Sequence, residues 1–417
     1  MKIAVIGAGI IGITTAYELA CDGHEVTVLE RRGAAAEETS FANAGILAPG
    51  YITPWAAPDM PAKVMQHLFS QHPLVKVGLP LTTRELSWMW RWYRACKQAS
   101  YLKYRTRLQH LAFYSSERLH QITADMKLDY ERSNGYLVLL RSEKDNQKIQ
   151  PGLQVLQEAG VAFKEVTPLE ARQIESALSG ETPLFGAIYL AEDEVGNCRQ
   201  FALLLKNEAL RMGVNFAFNT TVTKITSSAG IVLELADDPQ PRQFDAAVLC
   251  AGLDSTRLLD ALHQPLPIAA IHGYSVTATL REPLNAPRSA VMDEHYQVTI
   301  SRMGNRVRVA GSAEIGGVPD YKRRPALQTL YKVLSDWFPG AVNLSSGVQE
   351  WKGTRAMLPD GLPIFGASHV AGLWLNLGHG AHGWTLSAGS ARALADLMRG
   401  RTPDLDVSDF GIGRLHT

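Results

Sequence analysis

Gly7, Gly9 and Gly12 stand at the spacing of a loop that cradles a pyrophosphate, and an acid, Glu30, follows where it can take a ribose hydroxyl. Gly7 permits a tight turn, Gly9 lets phosphate oxygens approach the backbone, and Gly12 lets a helix pack closely on a strand. Ile10 and Ile11 then open a helix whose free N–H groups and dipole favour negative charge. Arg31 adds a cation beside Glu30. Near the other end of the chain a second glycine loop, Gly378, His379, Gly380, Gly383 and Trp384, again precedes a helix-like run. It is a second anion site of the same physical kind.

These residues need a scaffold, and the flanking pattern supplies one. Residues 2–6 read as a buried strand, and Ile13, Ala16, Tyr17 and Ala20 recur on one helix face. Residues 25–29 form a second strand that ends on Glu30. A GxGxxG loop alone is weak, but between a strand and a helix, with an acid ending the next strand, it specifies dinucleotide binding. Past residue 50 the alternation stops. A proline- and aromatic-rich stretch leads into a helical run from Thr83, a strand at 136–140, a helix over 143–159 and a strand near 161–163. Nucleotide-domain texture returns near 197, with Val222 in a β segment and a buried strand at 244–250 that ends on Ala251 and Gly252. Residues 267–315 alternate like antiparallel strands, and 326–338 reads as a helix. The expected fold is α/β plus α+β. A Rossmann-like domain is assembled from three segments, 1–50, 196–264 and 350–417. A substrate-binding domain, 51–195 and 265–349, is inserted as an antiparallel or mixed sheet with helices.

Two regions bear on which dinucleotide is bound. The run Thr39, Ser40, Phe41, Ala42, Asn43, Ala44 and Gly45 is small, hydroxylated and amide-bearing, so it can lie against a flavin, although it reads equally as an ordinary turn. The terminal glycine loop can aim a helix dipole at the charge that reduced flavin carries, for which an NAD enzyme has no need.

On these motifs the chain resembles the FAD-dependent D-amino-acid oxidase superfamily, which includes glycine and sarcosine oxidases, and within it the dehydrogenase branch. The matching residues are 7–12, 38–45, Pro49-Gly50-Tyr51, 54–58, 86–90, Gly273-Tyr274-Ser275, 351–355, 359–363, 378–380 and 383–384, spread over nearly the whole chain. The resemblance implies FAD as cofactor and oxidation of D-amino acids to 2-oxo acids and ammonia. Electrons would pass to a quinone or another non-oxygen acceptor. Alternatives are a glycine, sarcosine or D-proline-like secondary amine as substrate, or a flavin-carrying subunit of a larger oxidoreductase. In oxidase relatives the arginine matching Arg355 grips the substrate carboxylate, and a guanidinium fork suits that task. Tyr274 is expected to share the carboxylate, and His379 to contact flavin or substrate or to cap the helix. His272, Arg302 and Tyr51 are weaker cleft candidates. Relatives that tether flavin use a cysteine, and residues 353–366 contain none, so FAD is expected to be non-covalent.

Composition excludes other classes. The chain has 41 basic and 41 acidic residues, so no global field draws nucleic acid. Four scattered cysteines suit a reducing compartment without disulfides or zinc. There is no metalloprotease, nucleophile-elbow or Walker motif, and no metal is expected. Lys2 and the apolar run after it superficially resemble a secretory signal, against which the glycine spacing argues. No segment reaches the ~20 apolar residues that cross a bilayer. The expected place is the cytoplasm. The cluster Trp88, Met89, Trp90, Trp92 and Tyr93, with Arg91, Arg94 and Lys97, offers peripheral contact with the inner membrane, or else a helix packed across the substrate domain.

Overall fold

The computed structural model of the chain describes residues 1–67, 75–318 and 321–416. The opening strand, Lys2–Ile6, is buried from its second residue onward and pairs in parallel with Glu25–Leu29 on one side and Ala246–Leu249 on the other. A strand buried on both faces reads as an unbroken apolar run, as Ile3 to Ile6 does. Six strands complete this sheet, in the order Ile364–Ala367, Leu373–Leu377, Ala246–Leu249, Lys2–Ile6, Glu25–Leu29, Asn215–Ala217. The helix Ile10–Cys21 buries Ile13, Ala16 and Tyr17 against Phe201, Leu205, Trp384 and Leu394.

A ten-stranded mixed sheet carries the remaining chemistry. Two of its strands, Ala269–Thr279 and Gln349–Met357, run antiparallel, with Ile271 opposite Arg355, Gly273 opposite Gly353 and Tyr274 opposite Lys352. Directly opposed residues share a face. Arg355, Gly353 and Trp351 therefore lie on one face with Ile271, Gly273 and Ser275, while Tyr274 and His272 lie on the other. That other face takes the helix Arg324–Trp337, whose Leu327, Leu330, Val333 and Trp337 pack with Tyr274, Val276 and Ala278.

Several local expectations shift. The run from Thr83 is two helices, Thr83–Ala95 and Gln98–Met126, because Cys96 and Lys97 leave helical geometry. The strand expected at 161–163 forms at Lys164–Val166, since the Val161 N–H is spent on the Leu156 carbonyl at the end of the preceding helix. The boundary expected at 350 falls inside the strand Gln349–Met357, which stays in the ten-stranded sheet to its end. The aromatic cluster divides. Trp88 and Trp92 are buried beside Ile271 and Met357, and the Trp88 indole donates to the Met357 carbonyl at 2.8 Å. Trp90 and Tyr93 are 62% and 58% exposed. No helix among the described residues is long and apolar enough to cross a membrane.

Candidate active site

A cavity of about 270 Å³ opens where the strands of the six-stranded sheet end, with Ile6, Leu29, Cys250 and Leu377 on its wall. The carboxyl ends of parallel strands are where such sheets leave a crevice. Gly7 holds φ +106°, and a side chain there would meet the Cys250 carbonyl at 2.7 Å. Gly9 is extended, and the nearest atom to a Cβ there is Ser40 Oγ at 3.5 Å, which leaves a cradle over the backbone. The helix behind it has no side-chain cap, so its dipole faces the cavity. Ser40 instead accepts from the Ile10 N–H at 3.0 Å. Glu30 accepts from Ala8 N–H at 2.7 Å and from Arg32 N–H at 2.8 Å, so the acid that ends the second strand also braces the glycine loop.

The terminal glycine loop closes the same cavity. Gly378 and Gly380 hold φ +79° and +56°, and the helix Gly383–Met398 starts without a side-chain cap. Trp384 Nε1 and Asn376 Oδ1 lie on this wall buried and without partners, which polar groups rarely do unless something else meets them. His379 faces Ser390 Oγ at 3.0 Å, and burial pushes its pKa down to about 3, so its ring is neutral. Two helix ends without side-chain caps of their own, a cradle over Gly9 and unpartnered wall groups fit FAD. Cys250 is buried on the wall, and burial raises its pKa to about 12, which leaves the thiol unreactive.

Gly7, Gly9, Ile10, Ile11, Glu30, Arg31, Ser40 and Asn43 all lie on this wall, as do Val222, Ala251, Gly252, Gly378, His379, Gly380, Gly383 and Trp384. Arg31 reaches across to Glu38 and Asp254. Gly12, Ala42, Ala44 and Gly45 stand behind it. A Cβ on Gly12 would overlap the Gly7 carbonyl, so Gly12 serves packing. Ala42 is buried, the Ala44 carbonyl accepts from Ser301, and Gly45 backs onto Met303 and Gly196. Sequence reasoning gave no site role to Thr220, Thr221, Thr354 or Asn376, which also line the cavity. Their only signal is position just after or within strands whose ends were already expected to line a crevice.

Arg355 is half-buried, on the strand between Thr354 and Ala356, both of which line the cavity. Its guanidinium lies flat on Gly273, where any Cβ would sit 2.4 Å from a guanidinium nitrogen. Among the described residues no acid pairs with it, and burial alone lowers its pKa. Tyr274 does not join it. Its hydroxyl bonds Glu314, which also holds Arg323 and Lys352, on the opposite face of the strand. His272 shares that face and contacts Thr354 Oγ1 at 3.0 Å. Tyr51 bonds Glu294 at 3.1 Å, and Arg302 holds the carbonyls of Gly304 and Pro283. Of the residues expected around a carboxylate, Tyr274, His272, Tyr51 and Arg302 are thus held by protein partners, while the Arg355 guanidinium has none among the described residues.

The chain is similar to known proteins of one family. Residues 2–397 match the DAO family model, described as FAD dependent oxidoreductase. The chain is 39% identical over 416 residues to a D-amino acid dehydrogenase of Bradyrhizobium diazoefficiens, covering 99% of each. It is likewise 39% identical to one of Cereibacter sphaeroides, covering 99% of this chain and 95% of that one. Among solved structures it resembles glycine oxidase from Geobacillus kaustophilus, with a TM-score of 0.75 at 21% identity over 99% of this chain and 98% of the other. It also resembles L-proline dehydrogenase from P. horikoshii, with a TM-score of 0.74 at 17% identity over 100% and 97%. These structural likenesses show the fold.

Proposed function

The chain belongs to the DAO family of FAD-dependent oxidoreductases, and from that premise we propose that it is a D-amino-acid dehydrogenase. It oxidises D-amino acids to imino acids, which hydrolyse to 2-oxo acids and ammonia, and it hands electrons to a quinone or another non-oxygen acceptor. The observation that carries this reading is Arg355, a half-buried guanidinium with no acid partner among the described residues, on the strand whose Thr354 and Ala356 line the dinucleotide cavity. A cation left unpaired in such a place is costly unless a ligand's anion completes it.

We read 1–50, 196–264 and the chain after the strand Gln349–Met357 as the FAD-binding domain, and 51–195 with 265–357 as the inserted substrate-binding domain. The six strands come from residues 2–29, 215–249 and 364–377, which supports the division. The glycine loop and the helix behind it would hold the pyrophosphate, Glu30 the ribose, and the 378–384 loop with Trp384 and Asn376 the flavin. Bound FAD supplies a two-electron acceptor for hydride leaving Cα. Arg355 binds the carboxylate bidentately and so fixes which face of Cα the flavin meets. His379, neutral and bonded to Ser390, holds the loop without adding charge to the site.

For the acceptor we propose peripheral docking on the cytoplasmic face of the inner membrane through Leu86, Trp90 and Tyr93. These are exposed along one side of the helix Thr83–Ala95, with Arg91 and Arg94 beside them and Lys97 just beyond. The decisive experiment offers the purified protein a panel of D- and L-amino acids with an artificial acceptor, with and without oxygen. D-selective, oxygen-independent dye reduction is expected. Turnover that requires oxygen would identify an oxidase, and bleaching by L-amino acids alone would overturn the reading.

A further inference from the structure

His382 lies in the turn Gly380–His382, next to the strand that carries Arg355. The bridge between Met357 and His379 joins turn to strand, and Gly380 packs on the Met357 side chain. Its Nε2 stands 3.0 Å from the Thr53 carbonyl. A carbonyl only accepts, so Nε2 carries the proton and Nδ1 of the neutral ring is an acceptor. Nδ1 has no partner among the described residues, and His382 and Arg355 are both half-buried. Burial, with the charge of Arg355 acting on the ring, lowers the pKa of His382 to about 4. The pair is thus a cation and a neutral acceptor on a strand and a turn that the Met357–His379 bridge joins, with Thr354, Ala356, Gly380 and Gly383 beside them on the cavity wall.

We propose that His382 Nδ1 accepts an N–H of the substrate's amino group while Arg355 holds its carboxylate. The proposal rests on the functional reading above. Both groups of an amino acid hang from Cα, so an amine acceptor has to stand near the guanidinium. The nitrogen must react as the neutral amine. As the Cα–H bond breaks and its electron pair leaves with the hydrogen to the flavin, the nitrogen lone pair forms the second C–N bond. The iminium product keeps both of its N–H bonds, and no proton passes to His382. A carboxylate in this place would hold the ammonium form and keep the lone pair occupied. A neutral imidazole beside a guanidinium takes an N–H and disfavours the cation. His382 therefore orients the lone pair for the reaction.

The test uses FAD-loaded wild type, His382→Leu and His382→Asn, with D-alanine and D-proline as reducing substrates under anaerobic conditions. Propionate, which has the carboxylate but no amine, is titrated by its perturbation of the flavin spectrum. His382→Leu should lower the limiting rate of flavin reduction roughly tenfold, about the worth of one hydrogen bond. Propionate affinity should stay unchanged, and the asparagine, which keeps an acceptor, should recover part of the rate. N,N-dimethyl-D-alanine, whose neutral amine has no N–H, should be slow with wild type and no slower with the leucine variant. An unchanged reduction rate in His382→Leu would overturn the proposal. So would equal losses for D-alanine and propionate, because these would assign His382 to holding Thr53 in place. A wild type that no D-amino acid bleaches would instead bring down the functional reading, and this proposal with it.

Discussion

At the scale of single residues, Arg355 makes the strongest demand. If its guanidinium holds the carboxylate through two charge-assisted hydrogen bonds, Arg355→Ala should cost ~2–4 kcal/mol of substrate binding and orientation. Arg355→Lys should also be damaging, because an ammonium cannot reproduce the planar fork. Flavin content should stay normal in both variants, since the FAD cradle is built from other residues. Anaerobic reduction by a D-amino acid at low concentration measures this, and near-normal reduction would move the carboxylate site elsewhere. Gly9→Val tests the other end of the cavity. A Cβ there meets only Ser40 Oγ at 3.5 Å, so the variant should fold with a normal circular dichroism spectrum. The branched side chain would then occupy the space a pyrophosphate needs, and flavin should be lost. Retention of full flavin would refute the N-terminal assignment. Gly9 could be singled out from residue type and spacing alone, whereas Arg355 stood out only through the resemblance of its motif to that of oxidase relatives. Tyr274 was misplaced because only the pairing of its strand with Gln349–Met357 decides which face it takes. One residue of parity sent it to Glu314.

At the scale of elements, the helix Thr83–Ala95 shows what a list of aromatic residues conceals. Trp88 and Trp92 lie four apart on the helix and stack at 6.3 Å between ring centroids, with Trp55 packed against both. Trp90 and Tyr93 form a second stack on the outside. The bare sequence mixes the two faces, and it could not show that Trp88 and Trp92 pack inward while Trp90 and Tyr93 stay exposed. Trp88→Ala should therefore destabilise the fold by ~3–5 kcal/mol, the usual cost of emptying a large buried aromatic site. It should also disturb substrate binding, because the indole donates to Met357 two residues from Arg355. Trp90→Ala with Tyr93→Ala should leave the melting temperature and turnover with a soluble dye nearly unchanged while reducing sedimentation with anionic vesicles. A loss of folding in the double variant, or unchanged vesicle binding, would count against the membrane role. By contrast, the first strand, glycine loop, helix and second strand were legible nearly to the residue. Their signals are local, and tertiary packing only confirms them.

At the scale of the whole molecule, the dinucleotide cavity draws its wall from three distant stretches of chain, from Ile6 to Asn43, from Thr220 to Leu258 and from Thr354 to Trp384. Periodicity could suggest that these stretches meet, but only the sheet order shows how, with the strands at 246–249 and 373–377 inserted on one side of the first. A ligand that touches all three binds the folded chain and not the unfolded one, so it stabilises by mass action, about 4 kcal/mol when free FAD stands at 1,000 times its dissociation constant. Removing FAD should therefore lower the melting temperature by ~5 °C, and adding it back should restore it. No covalent bond should oppose the removal. Residues 353–366 contain no cysteine, and the Cys250 thiol on the wall is held protonated by burial, with its pKa near 12. Acid or heat should release intact FAD into the supernatant and leave a colourless polypeptide. Flavin that stays with the denatured chain would show a tether, and a melting temperature indifferent to FAD would show that the cofactor does not join the three stretches.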